Sequence, residues 1–280
     1  MNKGHEYVLL AVMLWSFVAI IVRLLNPFIS IESMLFYRSF IAAAVLILFV
    51  FITKTVKFSG MNRQKLGIYA MLGFLYTSML YTMMMAFVNT KIATAQFLQQ
   101  LSPVYTFIFA HFLLKERASS KNYYALVLAL SGTLLVFYFE SGSLSSSFMG
   151  NVFALISGIF LAAYHTLARH LRKYSGLEIS AWAFIFGTIM ISFSAFDKVS
   201  LSADNWLLLI GLGVFSTALP FLFWVKSMKY IKAQEASVLL LLTLITIPLL
   251  AFFFFNEIPS LGAIAGGALI LAASLIMLKS

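Results

Sequence analysis

The 280-residue chain contains no cysteine, so neither a disulfide framework nor a thiolate metal site is available to it. Charge is nearly as scarce: Asp, Glu, Lys and Arg make up only 10% of the residues, against about 25% in a soluble domain. Acidic residues number nine, and none falls at the centre of an apolar run, which excludes a deep carboxylate relay for protons. A Walker-type phosphate loop, His-Glu-x-x-His and Gly-x-Ser-x-Gly are all missing, so catalysis finds no support and neither a cofactor nor a metal is expected. No long polar tract remains from which a separate soluble domain could fold.

What the chain does have is 62% hydrophobic residues and a mean hydropathy of +0.99. These form ten apolar runs, at roughly 6–24, 33–53, 65–88, 92–114, 122–139, 150–169, 177–196, 206–226, 233–255 and 260–278. Each is long enough, or nearly so, to cross about 30 Å of hydrocarbon at about 1.5 Å per residue. Several are separated by a few residues only, so neighbouring helices are expected to form antiparallel hairpins. The fold class is all-α integral membrane protein. Lys3 before an apolar run resembles a signal peptide superficially, but no A-x-A site follows, and cleavage is not expected.

The net charge of +10 has its explanation in the gaps between runs rather than in nucleic acid. With an inside amino terminus, 15 of the 19 basic residues fall on the inner side: Lys3, Lys54, Lys57, Arg63, Lys65, Lys115, Arg117, Lys121, Arg169, Arg172, Lys173, Lys226, Lys229, Lys232 and Lys279. Arg23, Lys91 and Lys198 fall outside, and Arg38 lies within a span. That split satisfies the positive-inside rule for ten spans with both termini cytoplasmic, in what would be a bacterial inner membrane.

The ten runs are also one unit written twice. An offset of about 141 aligns Lys115-Glu116 with Asn256-Glu257, Ala93-Thr94-Ala95 with Gln234-Glu235-Ala236, and Met85-Ala86-Phe87 with Lys226-Ser227-Met228. Nearer the amino-terminal ends an offset of about 146 puts Gly4 on Gly150, Ser16 on Ala162, Arg23 on Arg169 and Glu32 on Glu178. An odd number of spans per copy sends the second copy into the membrane upside down, the usual build of a carrier that rocks about a midplane site. The copies are expected at 4–139 and 150–279. The polar stretch from Glu140 to Ser147, with Gly142 and five serines, supplies the extracytoplasmic linker at 140–149.

Several short motifs in this order and spacing resemble the EamA-type branch of the drug/metabolite transporter superfamily. They are Leu14-Trp15-Ser16-Phe17, Phe36-Tyr37-Arg38-Ser39-Phe40, Ala93-Thr94-Ala95 followed by Leu101-Ser102-Pro103, Leu113-Leu114-Lys115-Glu116, and Phe254-Phe255-Asn256-Glu257. The resemblance implies two inverted five-helix repeats and a small-molecule carrier, often of amino acids or related metabolites. It also implies a cavity lined mainly by helices one, three, four, six, eight and nine. The second copy departs from the first at Leu244, where the first has Pro103, and at Phe184, opposite Arg38.

Polar residues inside spans mark the candidate site. Gln96, Gln99, Gln100 and Pro103 follow i, i+3, i+4, i+7 and share one helical face. Carboxamides are costly against lipid, so this face is expected to point inward, either as interhelical glue or as a cavity wall. The equivalent stretch of span nine is nearly all leucine, so one wall is expected to be polar and the other oily. Trp15, Tyr76, Tyr81, Tyr164 and Trp224 are the candidate aromatic walls, suited to a zwitterion, a flat ring or a quaternary ammonium. Arg38, His165 and Glu235 are the candidates for charge or coupling. Arg38 is placed about a turn from the outer face, within snorkelling reach. Pro103 and Pro248 are expected to bend spans four and nine. The expected activity is transport of a small organic metabolite by alternating access, facilitated or by exchange. A flippase-like lipid carrier, with a groove open sideways to lipid, is the alternative.

Overall fold

The computed structural model describes residues 3–54, 63–114, 120–140, 146–170, 176–194, 201–231 and 233–279. Lys115-Glu116 and residues 141–145 of the linker lie outside the described residues. The described chain is helical and forms ten spans. Span 1 is Lys3–Ser16 continued by Val18–Leu25, span 2 Ile31–Thr53, span 3 Arg63–Asn89, span 4 Ile92–Gln99 continued by Ser102–Leu114, and span 5 Ser120–Glu140. Span 6 is Ser146–His170, span 7 Gly176–Ile191, span 8 Ala203–Gly213 with Val214–Ala218 and Leu219–Ser227, span 9 Ala233–Leu240 with Thr243–Phe255, and span 10 Leu261–Lys279. Both chain ends lie on one face of the bundle, here called the terminal face; the other is the far face.

Local chemistry sets the span ends. Ser30 and Ser202 begin spans 2 and 8, each hydroxyl accepting from the amide three residues on at 3.3 Å, and Glu32 and Asp204 follow in the first turn, where the helix dipole favours a carboxylate. Asn256 closes span 9 in the left-handed region at φ 52°, a conformation asparagine tolerates better than most residues. Span 7 ends at Ile191 rather than near 196; the Ser192 hydroxyl donates to the Ile189 carbonyl at 2.7 Å, capping the last turn.

Span 1 is interrupted at Phe17, and spans 4, 8 and 9 are interrupted where a polar group or a proline intervenes. Span 4 breaks at Gln100–Leu101 and span 9 at Leu241–Leu242, 141 positions apart, the offset already present in the sequence. Pro103, which has no N–H to donate, follows the first break. The freed Gln100 carbonyl accepts from the Ser274 hydroxyl of span 10 at 3.0 Å. At the second break the Thr243 hydroxyl donates to the Leu240 carbonyl at 2.8 Å. Pro248 lies inside the continuous segment Thr243–Phe255, so the interruption in span 9 is earlier than the proline predicts. In span 8 the π-turn at Val214–Ala218 precedes Pro220, and the Thr217 hydroxyl reaches back to the Leu212 carbonyl at 2.7 Å. Such a turn accommodates the missing donor without ending the span.

The two halves are inverted copies, and their contacts repeat. A Cβ on Gly4 would meet Tyr230 and Ile231, and one on Gly150 would meet Asn89 and Thr90. Each half's first span thus docks on the turn after the other half's third. A Cβ on Gly73 would meet span 7 at Ala183, Phe186 and Gly187, and one on Gly213 would meet span 2 at Arg38 and Ile41. Lipid supplies no hydrophobic drive between helices, so such small-residue approaches carry the packing. Spans 5 and 10 form a close pair outside this interface: a Cβ on Gly132 would stand 2.6 Å from the Gly266 carbonyl oxygen, and one on Gly266 2.5 Å from that of Gly132.

This backbone approach predicts a large asymmetry between glycines. Gly266→Val is expected to lower the thermal unfolding midpoint in detergent by about 3–10 °C, from an overpacking cost of roughly 1–3 kcal/mol. Gly211→Val, where a Cβ meets nothing within 4 Å, is expected to leave it unchanged. Equal midpoints for the two variants would show that spans 5 and 10 are not held by this contact.

Candidate functional site

A cavity of about 410 Å³ lies between the two halves. Spans 1, 2, 3, 4, 6, 7, 8 and 9 line it; no described residue of spans 5 or 10 does. Spans 2 and 7, contributing Arg38, Ile179 and Ser180, are additions to the lining that the family resemblance implies. Its lining runs from Phe87 near the far end of span 3 to Ala168, Gly176 and Val225 at the terminal ends of spans 6, 7 and 8.

Of the residues singled out in the sequence, Trp15, Tyr76, Gln96, Gln99, Gln100, Tyr164, Trp224, Arg38 and His165 all meet in this cavity. The aromatic members form a connected wall whose links run through Phe221, which pattern reading did not single out. Trp15 lies 5.9 Å from Trp224 and 5.6 Å from Phe221, ring centre to ring centre; Phe221 is 5.7 Å from Tyr76, and Tyr76 5.3 Å from Tyr164. These are ordinary edge and tilted separations for interacting rings. Met79, Met83 and Met84 fill out the span 3 side, as adaptable thioethers do.

The three glutamines are not equivalent. Gln96 donates to the Thr243 hydroxyl at 3.2 Å, tying span 4 to span 9. Gln99 donates to the Ser157 hydroxyl at 2.9 Å, and Ser157 passes the bond on to the Met79 carbonyl at 3.0 Å. That chain stitches spans 4, 6 and 3 together. The Gln100 side chain makes no hydrogen bond among the described residues and keeps its carboxamide for the cavity. Span 9 faces this wall with Leu240, Thr243 and Ile247, so the expected oily wall carries one hydroxyl, already engaged by Gln96.

Arg38 requires a correction. Its side chain does not snorkel to the far surface but turns into the bundle, where it is 3% exposed and its Nε donates to Thr217 in the middle of span 8 at 2.8 Å. The hydroxyl of Thr217 is held by the π-turn, which brings it within reach. An arginine buried within a span costs up to about 2.5–3.5 kcal/mol on insertion scales, more than the one hydrogen bond to a hydroxyl returns.

Tyr81, Glu235, Pro103 and Pro248 stand elsewhere. Tyr81 lies about 140° round span 3 from Tyr76 at about 100° per residue, so it faces away from the cavity. Its hydroxyl donates to Glu32 at 2.9 Å in a separate pocket with Thr77, Ser78, Thr82 and Phe160. Glu235, in the first turn of span 9, points at His5 of span 1 at 3.6 Å; it therefore does not share a site with His165. The prolines line no part of the cavity.

A charged cluster lies beyond the far end of the cavity. Arg23 pairs with Glu257 and donates to the carbonyls of Phe87 at 2.6 Å and Thr90 at 2.6 Å. The other Glu257 oxygen accepts from the Ile92 amide at 3.0 Å. Beside it Lys91 pairs with Glu140 at 3.0 Å. Spans 1, 3, 4, 5 and 9 are thus fastened at one level. Composition gave no sign of it, because each of these residues stands at a span end where a solvated charge is the ordinary reading.

Comparison with known proteins agrees with this architecture. The sequence model of the EamA-like transporter family matches residues 2–138 and 148–279. A protein of Archaeoglobus fulgidus described as an uncharacterized transporter is 34% identical over 193 residues, 67% of each chain. A Clostridium kluyveri protein of the same description is 24% identical over 295 residues, covering 100% of this chain and 94% of its own. A protein of known crystal structure superposes with a TM-score of 0.68 at 17% identity, covering 98% of this chain and 96% of that one; this likeness concerns the fold alone.

The far-end cluster lies next to Phe87 at that end of the cavity, so access is expected from the terminal face. The absence of native cysteine gives a clean background, and Val18→Cys places a thiol in the cavity wall. That thiol is expected to react with a membrane-impermeant reagent from the terminal face and not from the far face. Adding Glu257→Gln, which removes one partner of a half-buried pair at a cost on the order of 1–3 kcal/mol, is expected to raise the far-face rate roughly tenfold or more. An unchanged far-face rate would show that the cluster is no seal.

Proposed function

The chain belongs to the EamA-like transporter family, and we propose that it carries a small organic metabolite, an amino acid or a related zwitterion or amine, by alternating access. The observation that carries this reading is a cavity between inverted halves, flanked at one end by the Arg23–Glu257 pair and lined by an aromatic wall and a spare carboxamide. Inverted repeats convert one such conformation into its opposite by exchanging the roles of the halves. The breaks in spans 4 and 9 provide the bending points, and the docked first spans provide the rocking surface. On the distribution of lysine and arginine the terminal face is the cytoplasmic one, so a cavity closed by the far-end cluster opens inward on this reading.

Transport down the substrate's own gradient, or by exchange, suits the charges inside. His165 lines the cavity near the terminal face, but Glu235 is engaged by His5 outside it, so the two do not form a coupling pair. No Asp or Glu is among the described residues lining the cavity. A proton-coupled carrier needs an ionisable group reached alternately from both faces, and His165 sits close to one.

Ligands come first from a thermal-shift screen of the purified protein against amino acids, choline-like amines and nucleobases, since a bound ligand stabilises by mass action. Counterflow of a stabilising ligand in proteoliposomes is then expected to persist when the pH gradient and membrane potential are collapsed. Gln100→Leu is expected to reduce that flux roughly tenfold, the loss of one hydrogen bond of about 1–1.5 kcal/mol, with an unchanged thermal midpoint. Gln99→Leu is expected to do the opposite, lowering the midpoint by breaking its bond to Ser157. Uphill accumulation driven by an imposed pH gradient and lost in His165→Ala would sink the uncoupled mechanism; no flux of any stabilising ligand would sink the carrier itself.

A further inference from the structure

We propose that the cargo carries a carboxylate on an apolar body, and that Arg38 is the residue that reads it. The inference rests on the carrier reading above and narrows its cargo to carboxylates, anionic or zwitterionic, as against amines. Arg38 is 3% exposed and lines the cavity. Only its Nε is engaged, by Thr217; the two terminal nitrogens make no hydrogen bond and no ion pair among the described residues. A guanidinium has five N–H groups arranged to meet a carboxylate with two parallel bonds, and four of those five are spare here.

The contrast with two paired cations at the far end is informative. Where this chain neutralises a positive charge it supplies a glutamate: Arg23 has Glu257 and Lys91 has Glu140. The cation in the middle of the bundle has none, and no acidic side chain is among the described residues of the cavity wall. A cationic amine entering this space meets an uncompensated like charge, whereas an anion supplies the missing partner.

The repeat removes the simplest structural explanation. The offsets that relate the halves carry Arg38 to Phe184 and Thr217 to Tyr76. In the second pair the contact is made by rings, 5.1 Å apart and edge to face. Packing a span 2 or span 7 position onto the partner half therefore needs no charge. The same substitution gives the cavity a cation with the rings of Tyr76 and Phe221 in the same wall. An amphipathic carboxylate fits that wall, its acid at Arg38 and its body on the rings. Gln100, with its carboxamide unengaged, is left for a second polar group such as an amino acid's ammonium. The volume of about 410 Å³ lies toward the lower end of small-molecule pockets.

Matched triplets test this on the wild-type protein. The probes are 3-phenylpropionate, phenylalanine and 2-phenylethylamine; indole-3-propionate, tryptophan and tryptamine; and 4-methylpentanoate, leucine and isoamylamine. In at least one triplet both carboxylates are expected to raise the thermal midpoint while the amine does not. Arg38→Gln is expected to weaken carboxylate binding roughly tenfold or more, and Arg38→Lys to restore part of it. An amine that stabilises as well as its acid overturns the proposal, as does a panel in which no carboxylate stabilises. An Arg38→Gln protein that melts cooperatively and binds carboxylates as wild type does so too; if that variant does not fold, the acid-against-amine comparison decides. The arms separate the two readings. An amine that binds and exchanges in proteoliposomes overturns the carboxylate assignment and leaves the carrier standing. An acid that binds through Arg38 but never exchanges does the reverse.

Discussion

Hydrocarbon contains no water to satisfy a stray N–H or C=O, so every interruption of a spanning helix has to be answered by another group of the protein. The cavity depends on this constraint. Where span 4 breaks, Ser274 of span 10 takes the Gln100 carbonyl; where span 9 breaks, Thr243 takes the carbonyl of Leu240; where span 8 widens into a π-turn, Thr217 takes that of Leu212. Two of these three hydroxyls then serve a second purpose. Thr243 receives Gln96 and Thr217 receives Arg38. The groups that repair the backbone are thus the ones that position polar side chains at the cavity, and a wall made only of apolar residues could have done neither.

Symmetry organises the scaffold and asymmetry specialises the site. The contacts of Gly4 and Gly150, and of Gly73 and Gly213, are related by the offsets between the copies, so the frame is shared by both halves. The cavity side chains are not shared. Arg38 stands against Phe184, Thr217 against Tyr76, and the glutamine face of span 4 against leucines. Each tie across the interface is worth only about 0.6–2 kcal/mol in a bilayer, so no single one of them holds the halves together.

Much of the fold was legible because crossing hydrocarbon demands length and apolarity, and both are written locally. Ten spans, their antiparallel order and the twofold relation could be read from runs, gaps and repeated residues. The cavity was legible in part: nine of the singled-out residues meet there. What failed had identifiable causes. Tyr81 was grouped with Tyr76 by depth, although helical geometry puts it on another face. Pro248 was taken as the bend, although in span 9 a threonine hydroxyl answers the break before the proline is reached. Arg38 was placed by its distance along span 2, but its direction is set by Thr217, a residue far away in sequence. Gln96 and Gln99 do line the cavity, but sequence cannot show that their amides are engaged by Thr243 and Ser157. Arg23 and Glu257 are 234 positions apart, and no local pattern joins them.

The docking of each first span on the other half bears on how the protein is made. Gly4 leaves the ribosome long before its seat at Tyr230 and Ile231. At about 5–20 residues per second the interval is roughly 10–45 s. Throughout it, the amino-terminal helix is in the membrane without its native partner, and the first half has no finished surface on which to fold alone. The bundle therefore closes by long-range contacts formed late, the arrangement that slows folding most. The same exchange of first spans that ties the two halves together makes assembly wait for span 8.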